Sequence, residues 1–350
     1  KLFESEDGDA FSKYAKTGAY ANAYTSFDRT CYLFSCSNKF YENLDILLSF
    51  VQSPYFTEET VKKEQGIIGQ EIRMYDDSPS WRVMFNMLEC MYKNHPVKID
   101  IAGTIDSISK IDHNLLYDCY NTFYNPSNMF ICIAGNVEAD DVLKRISDNI
   151  KPSTPNEITR IKPEEPYNIV KPYIEQSFEV AQPMFCFGYK EAMTAPEKTE
   201  KEKVITEMLL EIIAGDASPL YKKLVNEGLI NDKFSSEHFC GNGYSAIIFD
   251  GESSDPKRVA EEIKQEVERL KNEGIDKKLF SAIRAGMYGD AISQFNDVDS
   301  IASMLVNCAM NDCGLFDELK FLKSVTVEDI QRKLITLDNE NTVLSVINVK

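Results

Sequence analysis

The stretch "FTEETVKKEQGIIGQEIRMYDDSPS" (residues 56–80) lies beside "IDKKLFSAIRAGMYGDAISQFNDVDS" (275–300) at a constant offset of 219. Both read as a capped helix with an apolar stripe, and the alignment sets Glu71 opposite Asp290. A second pair repeats the same order. "LLYDCYNTFYNPSNMFICIAGNV" (115–137) and "IQRKLITLDNENTVLSVINVK" (330–350) each run helix, turn, strand. Identity between the copies is low, but the order of elements is shared, so the chain reads as a duplication. The expected fold class is α+β: two tandem homologous units, each an antiparallel-rich sheet with helices on one face. Paired units of this kind commonly enclose a cleft.

Working outward, residues 6–17 suit an amphipathic helix stopped by Gly18, with Phe11, Tyr14 and Ala15 on one stripe. Residues 19–37 read as strand, polar turn near Ser26–Asp28, and strand. A helix over "YENLDILLSFVQ" ends before Pro54, and the next has Thr57 as N-cap with acidic residues in its first turn. Further helices are expected after Pro79, near 113–122 and over 138–150, with "NPSNMFICIAGNV" as a buried strand. Five of the thirteen prolines fall between 152 and 172, which predicts a stiff, exposed linker. The expected domains are therefore 1–151, a linker over 152–172, and 173–350. In the second, strands at 174–180, 183–189, 233–240 and 243–250 alternate with helices at 197–214, 219–226, 256–273 and 276–294.

The composition narrows the function. The net charge of −18 argues against nucleic-acid partners, which need a basic surface. It is compatible with basic peptides. No apolar run is long enough to span a membrane. Nine cysteines occur without any C-x-x-C. Cys31 and Cys36 are expected on opposite faces of a strand, and Cys308 and Cys313 about 140° apart around a helix. Cysteines within apolar runs, such as Cys132, read as small buried hydrophobes in a reducing compartment, here taken to be the cytoplasm.

The helix over 56–77 raises a chemical question. Glu64 and Glu71 are seven residues apart, about two turns, so they share a face with Val61, Ile68, Ile72 and Tyr75. A carboxylate in apolar surroundings is costly unless it is paired, hydrogen-bonded or bound to metal.

The duplicated halves, "GAYANAYTSFDRTCYLFS", "EQGIIGQEIRMYDDSPSWR" and "YNTFYNPSNMFICIAGNV" together resemble the M16 (insulinase/pitrilysin) family of zinc metallopeptidases, nearest its bacterial processing-peptidase-like branch. The likeness runs over the whole chain and is strongest up to residue 137. It implies the M16/LuxS-like metallohydrolase fold and a Zn²⁺ cofactor. In that family an H-x-x-E-H helix supplies two His ligands and a general-base Glu, and a later helix supplies a third ligand. Glu71 matches the third ligand, and Glu64 matches a helper glutamate of the catalytic site. Asn22 and Ala23 match an edge strand that holds peptide substrate in extended form.

The sequence departs from the pattern in two places. It has no H-x-x-E-H, and its histidines, His95, His113 and His238, are scattered. One carboxylate cannot hold a catalytic zinc, so the chain as written is expected to be inactive. The opening "KLFE" resembles the tail of the H-x-x-E-H helix, which predicts truncation just after that motif. In the second half, relatives carry Arg and Tyr in an "R-G-L-x-Y" type segment. Here "LVNEGLINDKF" (224–234) has Glu227 and Asn231 in those places. A homodimer or a paralogous subunit carrying Arg/Tyr is the expected partner, alongside a peptide substrate. The alternatives are a non-catalytic M16-like scaffold or partner subunit, and a peptide-binding clamshell.

Overall fold

A computed structural model describes residues 4–5, 8–192 and 200–350. The expected starts of the helices at 6 and 197, and "KLF" of "KLFE", lie outside the described residues. The fold is α+β, and its contacts divide the chain into two units. Unit 1 is Lys1–Met74, Ile101–Ile161 and Val298–Asn307, and unit 2 is Tyr75–Asp100, Lys162–Asp297 and Cys308–Lys350. This division differs from two consecutive blocks, because the helix after Pro79 groups with unit 2 and 298–307 with unit 1.

Unit 1 opens with a short pair, β1 (Glu4–Ser5) and β2 (Gly8–Asp9), then α1 (Ala10–Thr17). Asp9 caps α1 by accepting from the Phe11 N–H, and Gly18 ends it in the left-handed region at φ 73°. The hairpin β3 (Tyr20–Thr25) and β4 (Thr30–Ser35) is antiparallel, from Tyr20 opposite Ser35 to Thr25 opposite Thr30. Cys36 lies just past β4, outside the ladder. Helices α2 (Phe40–Val51) and α3 (Glu58–Asp76) follow. Thr57 caps α3 as expected, its Oγ1 accepting from the Thr60 N–H at 3.1 Å. After α4 (Pro79–Met91), which belongs to unit 2, come α5 (Ile105–Ser109), α6 (His113–Phe123) and α7 (Ala139–Asn149). A small core joins Leu44 and Leu48 of α2, Val142 of α7, Phe34 and Ile133.

The expected strand in "NPSNMFICIAGNV" does not form. Residues 129–134 have no strand assignment, and Phe130 and Ile131 are 61% and 45% exposed. A strand is defined by a partner's ladder, and among the described residues none lies alongside this run. Ile133 and, beyond the run, Val137 pack against the small core of unit 1.

Unit 2 holds β5 (Tyr173–Phe178), β6 (Met184–Lys190), α8 (Glu200–Ala214), α9 (Pro219–Asn226), β7 (Ser235–Gly241), β8 (Tyr244–Glu252), α10 (Pro256–Glu273), α11 (Lys277–Ser293), α13 (Asp317–Ser324), α14 (Val327–Ile335) and β9 (Thr342–Val349); α12 (Val298–Asn311) follows α11 in sequence, and its residues 298–307 group with unit 1. The strands make one sheet in the order β5-β9-β6-β8-β7, with β5–β9 parallel and the other pairs antiparallel. One face, bearing Phe187, Ile247, Phe249 and Val346, packs on α8 and α10, with α11 and α14 packed in turn on α8. Helix α8 can lie there because Val204, Met208, Leu209, Ile212 and Ile213 recur at helical spacing. The expectation of helices on one face only is corrected: α4 covers the other, setting Phe85, Met87, Leu88 and Met91 against Cys186, Ala246, Ile248 and Val343.

The linker is also not uniformly exposed. Residues 152–163 are mostly at the surface, but Glu165 is buried in unit 2. Its carboxylate meets Lys190 Nζ at 2.7 Å and accepts from the backbone N–H groups of Lys93, Asn94 and His95. Burial works to raise the Glu165 pKa. The Lys190 hydrogen bond and those three amides together outweigh it and hold the carboxyl down at about 2. The remaining Lys190 donors go to the Met91 and Pro166 carbonyls. Cys308 and Cys313 depart from their expected separation as well. Asp312 takes the left-handed conformation (φ 51°) and folds Cys313 back, so that its amide reaches the Cys308 carbonyl at 3.1 Å. Burial, then the contact with Cys308, pushes the Cys313 thiol up to about 12.

Candidate functional site

Helix α3 carries the site residues of unit 1. Its buried stripe is Val61, Gly69 and Ile72, and Glu64, Ile68 and Glu71 are half-buried beside it. Both carboxylates are thus partly withdrawn from solvent. Seven residues set them about 10 Å apart along the axis.

Glu64 lines a cavity of about 330 Å³ with Gln65, Val61 and Ile68 of the same helix. The opposite walls come from Tyr32 of β4, from Phe50 to Phe56, and from Leu116, Cys119, Tyr120 and Tyr124 of α6 and its end. Polar atoms of the walls are tied back. Tyr32 and Tyr124 share a hydroxyl hydrogen bond of 2.7 Å, and Tyr120 donates to the Val51 carbonyl at 2.7 Å. Gln65 Nε2 donates to the Ile108 and Ile111 carbonyls at 3.0 and 2.8 Å. Burial, reinforced by Tyr124, raises the Tyr32 phenol far above its ordinary range, so it stays neutral. The cavity is thus an aromatic, apolar slot with one carboxylate on its wall, shaped for an apolar body and not for an ion. Sequence reasoning missed it, because its walls come from separate segments. The available signal was the aromatic density of "FVQSPYF" and "YDCYNTFY".

Asn22 and Ala23 sit in β3, whose outer edge pairs with no other strand among the described residues. Asn22 is exposed, and its side-chain oxygen accepts from the Ala23 N–H at 2.8 Å while its amide donates to Tyr20 Oη at 3.0 Å. The edge is therefore self-capped at one amide, and a chain adding alongside would have to displace that cap.

The residues present do not by themselves fit zinc. A catalytic Zn²⁺ takes three protein ligands, and among the described residues no three His, Cys, Asp or Glu side chains are gathered to hold a metal. His113 opens α6. His95 is a satisfied structural residue: Nε2 donates to the Asn242 carbonyl at 3.1 Å, Nδ1 accepts from the Val97 N–H, and burial lowers its pKa. His238 lies in β7. In unit 2, Glu227 caps the end of α9 and pairs with Arg258, and Asn231 donates to Glu252 at 2.9 Å. Neither side chain can do the work of Arg or Tyr. Among the described residues no helix is long and apolar enough to cross a membrane.

Residues 4–105 match the family model "Insulinase (Peptidase family M16)", and residues 110–287 match "Peptidase M16 inactive domain". An uncharacterized zinc protease of Bacillus subtilis, YmfH, is 41% identical over 338 residues, covering 95% of this chain and 78% of its own length. The crystal structure of a putative M16-like peptidase from Alicyclobacillus acidocaldarius superposes with TM-score 0.95 at 32% identity, over all of this chain and 85% of the other. A protease from Helicobacter pylori superposes with TM-score 0.86 at 18% identity, over 99% of this chain and 86% of the other, a likeness of fold.

Proposed function

This chain belongs to the M16 (insulinase) peptidase family, and on that footing we propose that it is the greater part of a zinc-dependent endopeptidase subunit acting on peptides or small unfolded polypeptides. Helix α3 supplies one metal ligand, Glu71, and a helper carboxylate, Glu64. The two histidine ligands and the general-base glutamate come from an H-x-x-E-H helix outside these 350 residues. The observation that carries this reading is the half-burial of two carboxylates on one apolar helix face. A metal centre completed by further ligands would call for inward carboxylates at two such places.

In this reading the peptide adds to the outer edge of β3, its backbone replacing Asn22 Oδ1 at the Ala23 amide. Glu227 and Asn231 support a second element: the Arg/Tyr pair is supplied by another copy or by a paralogous subunit. The nine cysteines, all present as thiols, support a cytoplasmic setting. Hydrolysis of an unfolded, internally quenched peptide tests the proposal. The chain alone should be inactive. The chain extended N-terminally by an H-x-x-E-H segment, mixed with a paralogue carrying Arg/Tyr, should cleave and lose activity to a chelator. Chelator-insensitive cleavage by the extended protein would overturn the zinc assignment. Peptide binding without cleavage in the complete mixture would favour the clamshell.

A further inference from the structure

A second cluster of reactive side chains lies in unit 2, away from α3. On the edge strand β7, alternation puts His238 and Cys240 on the same face of the sheet, two residues apart. Cys240 is half-exposed, and its Sγ lies 3.8 Å from His238 Nδ1. The other ring nitrogen, Nε2, is 3.2 Å from Ser245 Oγ and 3.4 Å from a Glu191 carboxylate oxygen. Ser245 stands directly across the ladder from Cys240. Its hydroxyl donates to Glu191 at 2.5 Å, and Lys333 of α14 closes an ion pair with the same carboxylate. The His238 side chain is 1% exposed, so these contacts hold the ring without competition from water.

The hydrogen bonds fix the tautomer. A Glu191 carboxylate can only accept, and the Ser245 proton is already directed to it. Nε2 must therefore donate to the Ser245 oxygen and the Glu191 carboxylate. In a neutral imidazole that leaves Nδ1 as the acceptor, and Nδ1 faces the Cys240 thiol. Thiol, imidazole and orienting carboxylate thus stand in the relation of a nucleophile, its base and the group that holds the base.

We propose that Cys240 is a nucleophilic thiol, with His238 as its base and Ser245 and Glu191 as positioning groups, and that it is the chain's preferred site of oxidation by hydroperoxides. His238 Nδ1 takes the thiol proton. The thiolate sulfur attacks the terminal oxygen of the hydroperoxide, an S–O bond forms as the O–O bond breaks, and the leaving alkoxide takes a proton from the imidazolium. The products are a sulfenic acid at Cys240 and an alcohol, or water when the oxidant is hydrogen peroxide.

The test uses the whole chain with hydrogen peroxide as oxidant and dimedone as trap, read by peptide mass for each cysteine. The exposed Cys119 serves as the unassisted reference, and the buried Cys186 reports folding. Cys240 should be trapped at least ~10-fold faster than Cys119 at neutral pH. His238→Gln should bring it down to the Cys119 rate, with Cys119 unchanged and Cys186 protected. Equal rates in the parent chain, or an unchanged Cys240 rate in His238→Gln, would overturn the proposal. If Cys186 becomes reactive in the variant, the pH profile of the parent chain decides. The groups facing the pair are Glu191 and Lys333, with Lys203 of α8 near the thiol among Glu200, Glu207 and Glu318. A Cys240 rate that stays flat well below the ordinary thiol value of about 8.5 supports the assignment. A tenfold loss per pH unit beginning at that value overturns it.

Discussion

Helices α3 and α11 align at the sequence offset of 219, and each buries three residues, yet they differ in the side chains between their anchors. At the offset of 219, Val61 corresponds to Phe280 and Ile72 to Ala291, and all four are buried. The burial register of the duplication is therefore intact. Between these anchors the copies part. Ile283 is in the core of unit 2, and its counterpart Glu64 lines a cavity in unit 1. Asp290 is exposed, and its counterpart Glu71 is half-buried. Helix α11 packs on α8. Of the aligned positions, only those in α3 place acid at half-buried sites: Glu64 stands where unit 2 has the core residue Ile283, and Glu71 where it has the exposed Asp290.

The largest effect expected from breaking this comparison comes from exchanging the two residues. Ile283→Glu should destabilise unit 2 by about 3–5 kcal/mol, since it buries an unpaired charge. Glu64→Leu at the corresponding position should stabilise unit 1 by ~1 kcal/mol by filling apolar space. Urea unfolding of both variants measures this, and destabilisation by Glu64→Leu would mean that Glu64 is structural after all.

The next effect concerns how each unit holds its end of the linker. Glu165 has a depressed native pKa, so its contribution is present above the ordinary carboxylate range and is lost as pH falls from about 4.5 towards about 2. With its side chain 4% exposed, roughly 3 kcal/mol is at stake. Glu165→Gln should flatten the stability profile of unit 2 over that window. An unchanged slope would show that Lys190 and the amides of 93–95 do not hold the carboxylate.

A smaller effect is expected in the cavity wall. Tyr32→Phe removes the hydroxyl bond to Tyr124 and should cost unit 1 about 1 kcal/mol. A loss of several kcal/mol would mean that the slot is a rigid core element. The smallest lies at the hairpin edge, where Asn22→Ala should change stability by less than ~0.5 kcal/mol yet speed hydrogen exchange of the Ala23 amide. Unaltered exchange would remove the self-capped edge from the account.

Much of this was legible in the sequence because its signals are local. Thr57 marks a helix start that the structure reproduces, and the helices expected at 219–226 and 256–273 form within those bounds. The offset of 219 suggested the duplication, and the seven-residue spacing on one apolar face drew attention to Glu64 and Glu71. What could not be read depends on distant partners. The run 129–134 has strand composition and no ladder. Helix α4 has an apolar pattern that does not say which sheet it will cover. The turn at Asp312 rests on a left-handed residue that is not glycine. The cavity and the His238–Cys240 cluster each assemble side chains from several segments.

The central claim is that Glu71 is a zinc ligand and Glu64 is not. It is tested most directly by metal content of the chain extended N-terminally with an H-x-x-E-H segment. The parent should hold one zinc per chain, Glu71→Gln should lose most of it, and Glu64→Gln should keep it while activity falls. Full zinc occupancy in the Glu71→Gln protein would contradict the account and move the third ligand to another residue.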